Sequence, residues 1–127
     1  MKNDLMVYFC KHCKNVVVKL VDKGVPIVCC GEKMEPLSPN SVDAAIEKHL
    51  PLVNQQKDKV YVSVGEITHP MSEEHNISFI ALVQGKNLQI AYLEPDGEPK
   101  AVFHAVSGEP FSVYSYCNLH GLWKIDG

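Results

Sequence analysis

The sequence predicts a mainly β chain: a small metal-stapled unit at the N-terminus, then an antiparallel β-sandwich or barrel. Three observations carry this. Runs rich in β-branched and aromatic residues recur at intervals of about 8–12 residues, separated by Gly, Pro and Asn turns, as in all-β domains. No helix of ordinary length is readable beyond residue 50. Four of the five cysteines fall in the first thirty residues, in a stretch too short to support a core of its own.

In chain order, VVVKLV at residues 16–21 reads as a strand. Asp22-Lys23-Gly24 then turns the chain into a second strand ending at Cys29. EPLSPNS at residues 35–41 is linker-like and puts a boundary near residues 36–40. SVDAAIEKH predicts one or two helical turns over 41–49, with Ser41 as N-cap. Pro51 then forces Leu50 into an extended conformation. KVYVSVGEI at 59–67 alternates Val60, Val62 and Val64 on one face, the period of a half-buried strand. Further strands are expected over residues 75–83, 87–94, 101–106 and 110–117, the last closing on Cys117. There is no internal repeat and no low-complexity tract.

The 127 residues make one ordinary domain or two small ones, and 46% hydrophobic content suffices for a core. A net charge of −3 argues against nucleic acid and against charge-driven membrane binding. The N-terminal stretch holds Asp4 and no uninterrupted apolar run, unlike a signal peptide. No stretch approaches the ~20 apolar residues that span a bilayer. The expectation is a soluble, cytoplasmic chain, where an odd number of cysteines points to metal binding over a disulfide framework.

Cys10 and Cys13 form a C-x-x-C pair, and Cys29 and Cys30 are adjacent. A two-residue gap lets a turn aim two thiolates at one ion, and four thiolates make a closed tetrahedral site for zinc or iron. Adjacent strand residues point to opposite faces, so Cys29 and Cys30 need a kink that Gly31 permits. A purely structural zinc knuckle fits the spacing as well as iron does. A redox disulfide lacks the βα context that such motifs have. His12 is expected to face solvent, since four thiolates complete the tetrahedron.

The second constellation is His49, His69, His75, Cys117 and His120. Any one of these histidines alone reads as a surface or core residue. Together they stand beside prolines, at strand ends or, for Cys117 and His120, in a C-x-x-H chelate, so all can gather at one edge of a β scaffold. His104 lies mid-strand and is read as structural. Four imidazoles and a thiolate exceed what tetrahedral zinc prefers and suit a redox metal with one open position. With Fe(II) the set carries a net charge of about +1, which attracts a small anion, and the thiolate raises electron density at the metal. Lys48, just before His49, can draw an anion in and orient water for proton delivery. Glu47 can supply a carboxylate to the open position after oxidation.

These motifs, C-K-H-C with C-C-G, then E-K-H-L-P, T-H-P-M, E-E-H and C-N-L-H-G-x-W, span residues 10–123 and resemble the desulfoferrodoxin family, the two-iron class of superoxide reductase. The resemblance implies a desulforedoxin-like domain over residues 1–37, with Cys10, Cys13, Cys29 and Cys30 holding one iron. It implies an immunoglobulin-like β-sandwich over residues 38–127, with His49, His69, His75 and His120 equatorial and Cys117 axial around a second. Glu47 and Lys48 become the residues that cap oxidised iron and assist superoxide capture and protonation. A homodimer and a rubredoxin-type electron donor are implied as well. The chain departs from the pattern at Asn76, where relatives often carry an aromatic. Trp123 is read either as plain core or as packing near the site. Two other readings stand beside this one: an electron carrier or metal store without catalysis, and a zinc-stabilised binding domain.

Overall fold

The computed structural model describes residues 4–127, which form two compact units, Asp4–Ser38 and Pro39–Gly127. Nearly all regular structure is strand. Among the described residues, no helix is long and apolar enough to cross a membrane.

In the first unit β1 (Met6–Phe9), β2 (Val16–Lys19) and β5 (Glu35–Pro36) form an antiparallel sheet in the order β2-β1-β5. β3 (Val28–Cys29) and β4 (Glu32–Lys33) form a separate hairpin. Asp22 builds the expected turn by accepting from the Gly24 amide at 2.8 Å and from Lys19 Nζ at 2.9 Å. That turn also shortens the strand predicted over 16–21. Lys19 Nζ reaches Val25 O at 3.0 Å, curling the chain early, and Leu20 and Val21 leave the sheet exposed. β1, β4 and β5 were not legible, being too short to show a period.

The second unit holds a one-turn helix, α1 (Ile46–His49), and seven strands: β6 (Pro51–Gln56), β7 (Lys59–Val64), β8 (Ile77–Gln84), β9 (Asn87–Tyr92), β10 (Lys100–His104), β11 (Ser112–Cys117) and β12 (Gly121–Asp126). They make two antiparallel sheets, β10-β7-β6 and β12-β11-β8-β9. One core joins Val60, Val62, Val64 and Phe103 of the first sheet to Ile80, Leu82, Val113 and Cys117 of the second. The alternation of three valines is therefore the inward face of β7, as its period predicts.

Two expectations are corrected. The helix is one turn starting from Ala45, which offers no side-chain cap, and Ser41 is not its N-cap. The cause is Asn40, which pins the preceding segment to β12: its amide donates to Leu122 O (2.9 Å), its side chain to Lys124 O (3.0 Å), and its Oδ1 accepts from Lys124 N (2.9 Å). Cys117 does not end the last strand, because β12 follows and pairs with β11 over its full length. Leu50 is extended, as Pro51 requires (φ −67°, ψ 132°).

Candidate metal centres

The four N-terminal cysteines converge. Their sulfurs all lie within 4.8 Å of one another, with Cys13 and Cys29 at 3.6 Å and Cys29 and Cys30 at 4.0 Å. A tetrahedral ion with metal–sulfur bonds near 2.3 Å needs sulfur separations of about 3.8 Å. The required kink is a two-residue hairpin turn at Cys30-Gly31, both left-handed (φ 54° and 74°), and Cys30 itself shares it with the glycine. The backbone N–H of Cys13, with a weaker contribution from His12, pulls the Cys10 thiol down to about 6. Hydrogen bonding with Cys13 and Cys10 pushes Cys30 up to about 12. Four sulfurs this close cannot all be thiolates without a cation between them, so the set fits a metal. The His12 side chain is exposed, faces Glu32 Oε2 at 3.3 Å and is not part of the four-sulfur cluster.

The second constellation assembles at one end of the two sheets. The start of β6 pairs with the end of β7 (Pro51 with Val64), and the end of β11 with the start of β8 (Cys117 with Ile77). His49 ends α1, His69 and His75 lie on the β7–β8 connection, Cys117 ends β11 and His120 sits in the β11–β12 turn. His75 precedes β8 by two residues and does not open it; Ser72 holds it in a tight turn, with its amide on His75 O at 2.9 Å.

The imidazoles form a four-sided ring. Neighbouring ring centroids lie at 4.8 Å (His49–His69), 4.7 Å (His69–His75), 5.2 Å (His75–His120) and 4.8 Å (His120–His49), and the His49–His75 diagonal is 6.4 Å. The facing nitrogens of His49, His69 and His75 and the sulfur of Cys117 all lie within 4.8 Å of one another. His120 Nδ1 is 3.0 Å from His49 Nε2 and 3.8 Å from Cys117 Sγ.

Hydrogen bonds outside the ring fix which nitrogen faces in. His49 Nδ1 donates to Ala45 O at 2.6 Å and His69 Nδ1 to Pro70 O at 2.7 Å, leaving both Nε2 atoms as lone-pair donors. Nε2 of His69 and Nε2 of His75 are buried without any hydrogen-bond partner. Such orphans are rare in a native interior. Burial holds His69 down to about 4 and lowers His49 and His75 as well, which favours the neutral form of these three imidazoles with their lone pairs available. Burial pushes the Cys117 thiol up, against the Leu119 and His120 backbone N–H groups, so a thiolate here needs a cation beside it. Orphaned nitrogens, neutral imidazoles and a buried sulfur together fit a metal ion with four nitrogen donors and one sulfur donor.

Glu47 and Lys48 stand exposed on α1, directly before His49. The Lys48 charge reaches both His49 and His75, adding to the lowering that burial begins. The backbone beneath them is clamped: Ile67 N donates to Glu47 O at 2.9 Å, and Gly65 N donates to Leu50 O at 3.0 Å. Gly65 has φ +89°, and a Cβ there would meet Lys48 O at 2.6 Å, so only glycine lets the two segments approach this closely. His104 lies at the far end of β10 with its ring exposed, outside both centres.

Three supporting residues carried no sequence signal or an ambiguous one. Trp123 is buried, stacks on the His49 ring (5.0 Å, 20°) and donates its indole N–H to His120 O at 3.1 Å. It packs at the centre. Asn118 accepts from Asn76 N (2.9 Å) and donates to Glu74 O (2.9 Å), tying the His75 loop to the Cys117–His120 turn. Asn76, in place of an aromatic, donates to Ser72 O at 2.8 Å and braces the same loop by hydrogen bonding.

Comparison with known proteins agrees with this geometry. The desulfoferrodoxin family model matches residues 41–126. The desulfoferrodoxin of Clostridium acetobutylicum is 44% identical over 126 residues, 99% of each chain. The chain belongs to the desulfoferrodoxin family. The superoxide reductase of Pyrococcus abyssi is 38% identical, over 61% of this chain and 84% of that protein. The crystal structure of the superoxide reductase from Treponema pallidum matches 97% of this chain and 99% of that one, at 30% identity and a TM-score of 0.77. The chain is thus a mainly β member of that family with a four-cysteine cluster of its own, and superoxide reductases are among its structural neighbours.

Proposed function

We propose that this chain is a superoxide reductase, transferring one electron and two protons to superoxide to give hydrogen peroxide without releasing oxygen. The observation that carries it is the four-imidazole ring with a buried thiol against it and Lys48 exposed at its rim. In this reading His49, His69 and His75 through Nε2, His120 through Nδ1, and Cys117 through Sγ hold iron. Iron bound there supplies the electron. Lys48 draws the anion to an otherwise acidic chain and orients water for proton delivery. Glu47, exposed two residues before His49, would offer a carboxylate to the bound metal when it is oxidised. His75 and His120 are only half-buried, which supports access from solvent on their side of the ring.

Cys10, Cys13, Cys29 and Cys30 hold a second iron, residues 1–37 acting as a desulforedoxin-like domain and residues 38–127 as an immunoglobulin-like reductase domain. The electron donor is a rubredoxin-type protein and the chain works in the cytoplasm as a homodimer. Exposed Leu20, Val21, Val25 and Val28 on the small unit favour self-association.

The test is anaerobically reduced protein mixed with superoxide, with peroxide and oxygen both measured. Peroxide without oxygen is expected; stoichiometric oxygen release would make it a dismutase. The closed four-cysteine site favours a second reading, an electron carrier or metal store. Full biological activity after Cys117→Ser would support that reading instead.

A further inference from the structure

The inward row of β11 reads Val113, Ser115, Cys117, and Ser115 is fully buried (0% exposed) among apolar neighbours. A hydroxyl in such a place costs free energy unless it is hydrogen-bonded, and alanine would fill it without that cost. Its partner is remote in sequence: Ser115 Oγ donates to the backbone carbonyl of His49 at 3.1 Å, across 66 residues. The cross-strand neighbour of Ser115 is Trp123, whose indole stacks on the His49 ring. One residue pair of the β11–β12 ladder therefore holds the same histidine twice, by its carbonyl and by its ring. Ala45 O holds it a third time through Nδ1.

We propose that Ser115 is a positioning residue for the histidine–cysteine centre: its hydroxyl ties the His49 end of α1 to the strand that ends in Cys117, so that imidazole and sulfur stand at ligand distance before a metal enters. The inference rests on reading this constellation as a metal centre. α1 is a single turn without a side-chain cap and cannot hold its own position. The turn carrying Glu47, Lys48 and His49 needs an external anchor, and Ser115 provides one that is rigid because it lies mid-strand. Groups that orient metal ligands in this way typically change metal affinity by about 10–100-fold when removed.

The experiment compares Ser115→Ala, Ser115→Thr and Ser115→Val in the full chain loaded with iron. Release of iron to a ferrous chelator is followed together with the sulfur-to-iron absorption of the oxidised protein. The four-cysteine absorption serves as an internal reference. Emission from Trp123, the single tryptophan, reports folding in the same sample. Ala and Val should release iron from the histidine–cysteine centre at least about tenfold faster than the parent, with a shifted sulfur-to-iron band, while Thr stays close to the parent. Parent-like release from Ala would overturn the proposal. Should Ala fail to fold, Thr and Val, equal in shape, decide: equal behaviour of the two would mean that packing and not the hydroxyl matters. A parent chain that itself binds no iron at this centre would sink the metal reading instead, which separates the two failures.

Discussion

One side chain, Lys48, and one backbone position, Gly65, shape the rim of the histidine ring. Lys48 is exposed in a chain of net charge −3, yet its charge is felt at His49 and His75. If it captures an anion, Lys48→Ile should slow superoxide capture about tenfold at low ionic strength and flatten its salt dependence, since steering by a local cation is screened by salt. Pulse radiolysis across ionic strengths measures this; rates equal to the parent at every salt concentration would refute the role. Gly65 is the less obvious partner. Its left-handed backbone, and the close approach of Ile67 O and of Lys48 O (2.6 Å) to a would-be Cβ, mean that Gly65→Ala must displace the Gly65–Ile67 loop and the Glu47–His49 turn from one another. The expected cost is about 2 kcal/mol of stability, read in a denaturant titration of the metal-loaded chain, together with slower capture although no charge has changed. A variant as stable as the parent would show that the turn yields freely.

At the scale of elements, β7 to β11 were legible and β6 and β12 were not. β7 alternates cleanly because only one of its faces meets the core. β6 (PLVNQQ) is an edge strand beginning with proline and ending in amides, so it lacks both the composition and the period of a strand. β12 buries Leu122 and Trp123 on successive positions, which erases alternation. The five candidate ligands were legible because His and Cys beside prolines and turns have few structural uses in common. Ser115, Trp123, Asn118 and Ser72 were not legible in that way, for their meaning lies in partners far along the chain or in loop geometry. Asn118 is the sharpest case, tying two ligand-bearing loops together through Asn76 N and Glu74 O. Asn118→Ala should lower the melting temperature of the Pro39–Gly127 unit by about 5 °C, as losing roughly 1 kcal/mol of hydrogen bonding does in a unit of this size. Amide exchange at residues 72–76 should rise at the same time. An unchanged melting temperature with unchanged exchange would mean that Ser72 and Asn76 suffice to hold the loop.

For the whole molecule, the two units differ in what holds them together. The core of Pro39–Gly127 runs through both of its sheets, whereas the buried apolar residues of Asp4–Ser38 are Val7, Cys10 and Met34 among the described residues. Burying so few side chains yields a few kcal/mol at about 1.5–3 kcal/mol each, well short of the conformational entropy of ordering some thirty residues. A unit with so small a core depends on a staple, and closure of its four thiolates around an ion would provide one. Cys13→Ser should therefore release one metal per chain and unfold the small unit alone. Hydrogen exchange followed by mass spectrometry should show peptides spanning β1 and β2 losing protection, while those spanning β8 and β11 keep it. The histidine–cysteine centre should retain its metal in the same variant, because none of its five candidate ligands lies before residue 49. Loss of protection in both units together would show instead that the chain folds as one cooperative body, and the four-cysteine site would then support the whole molecule and not only its N-terminal part.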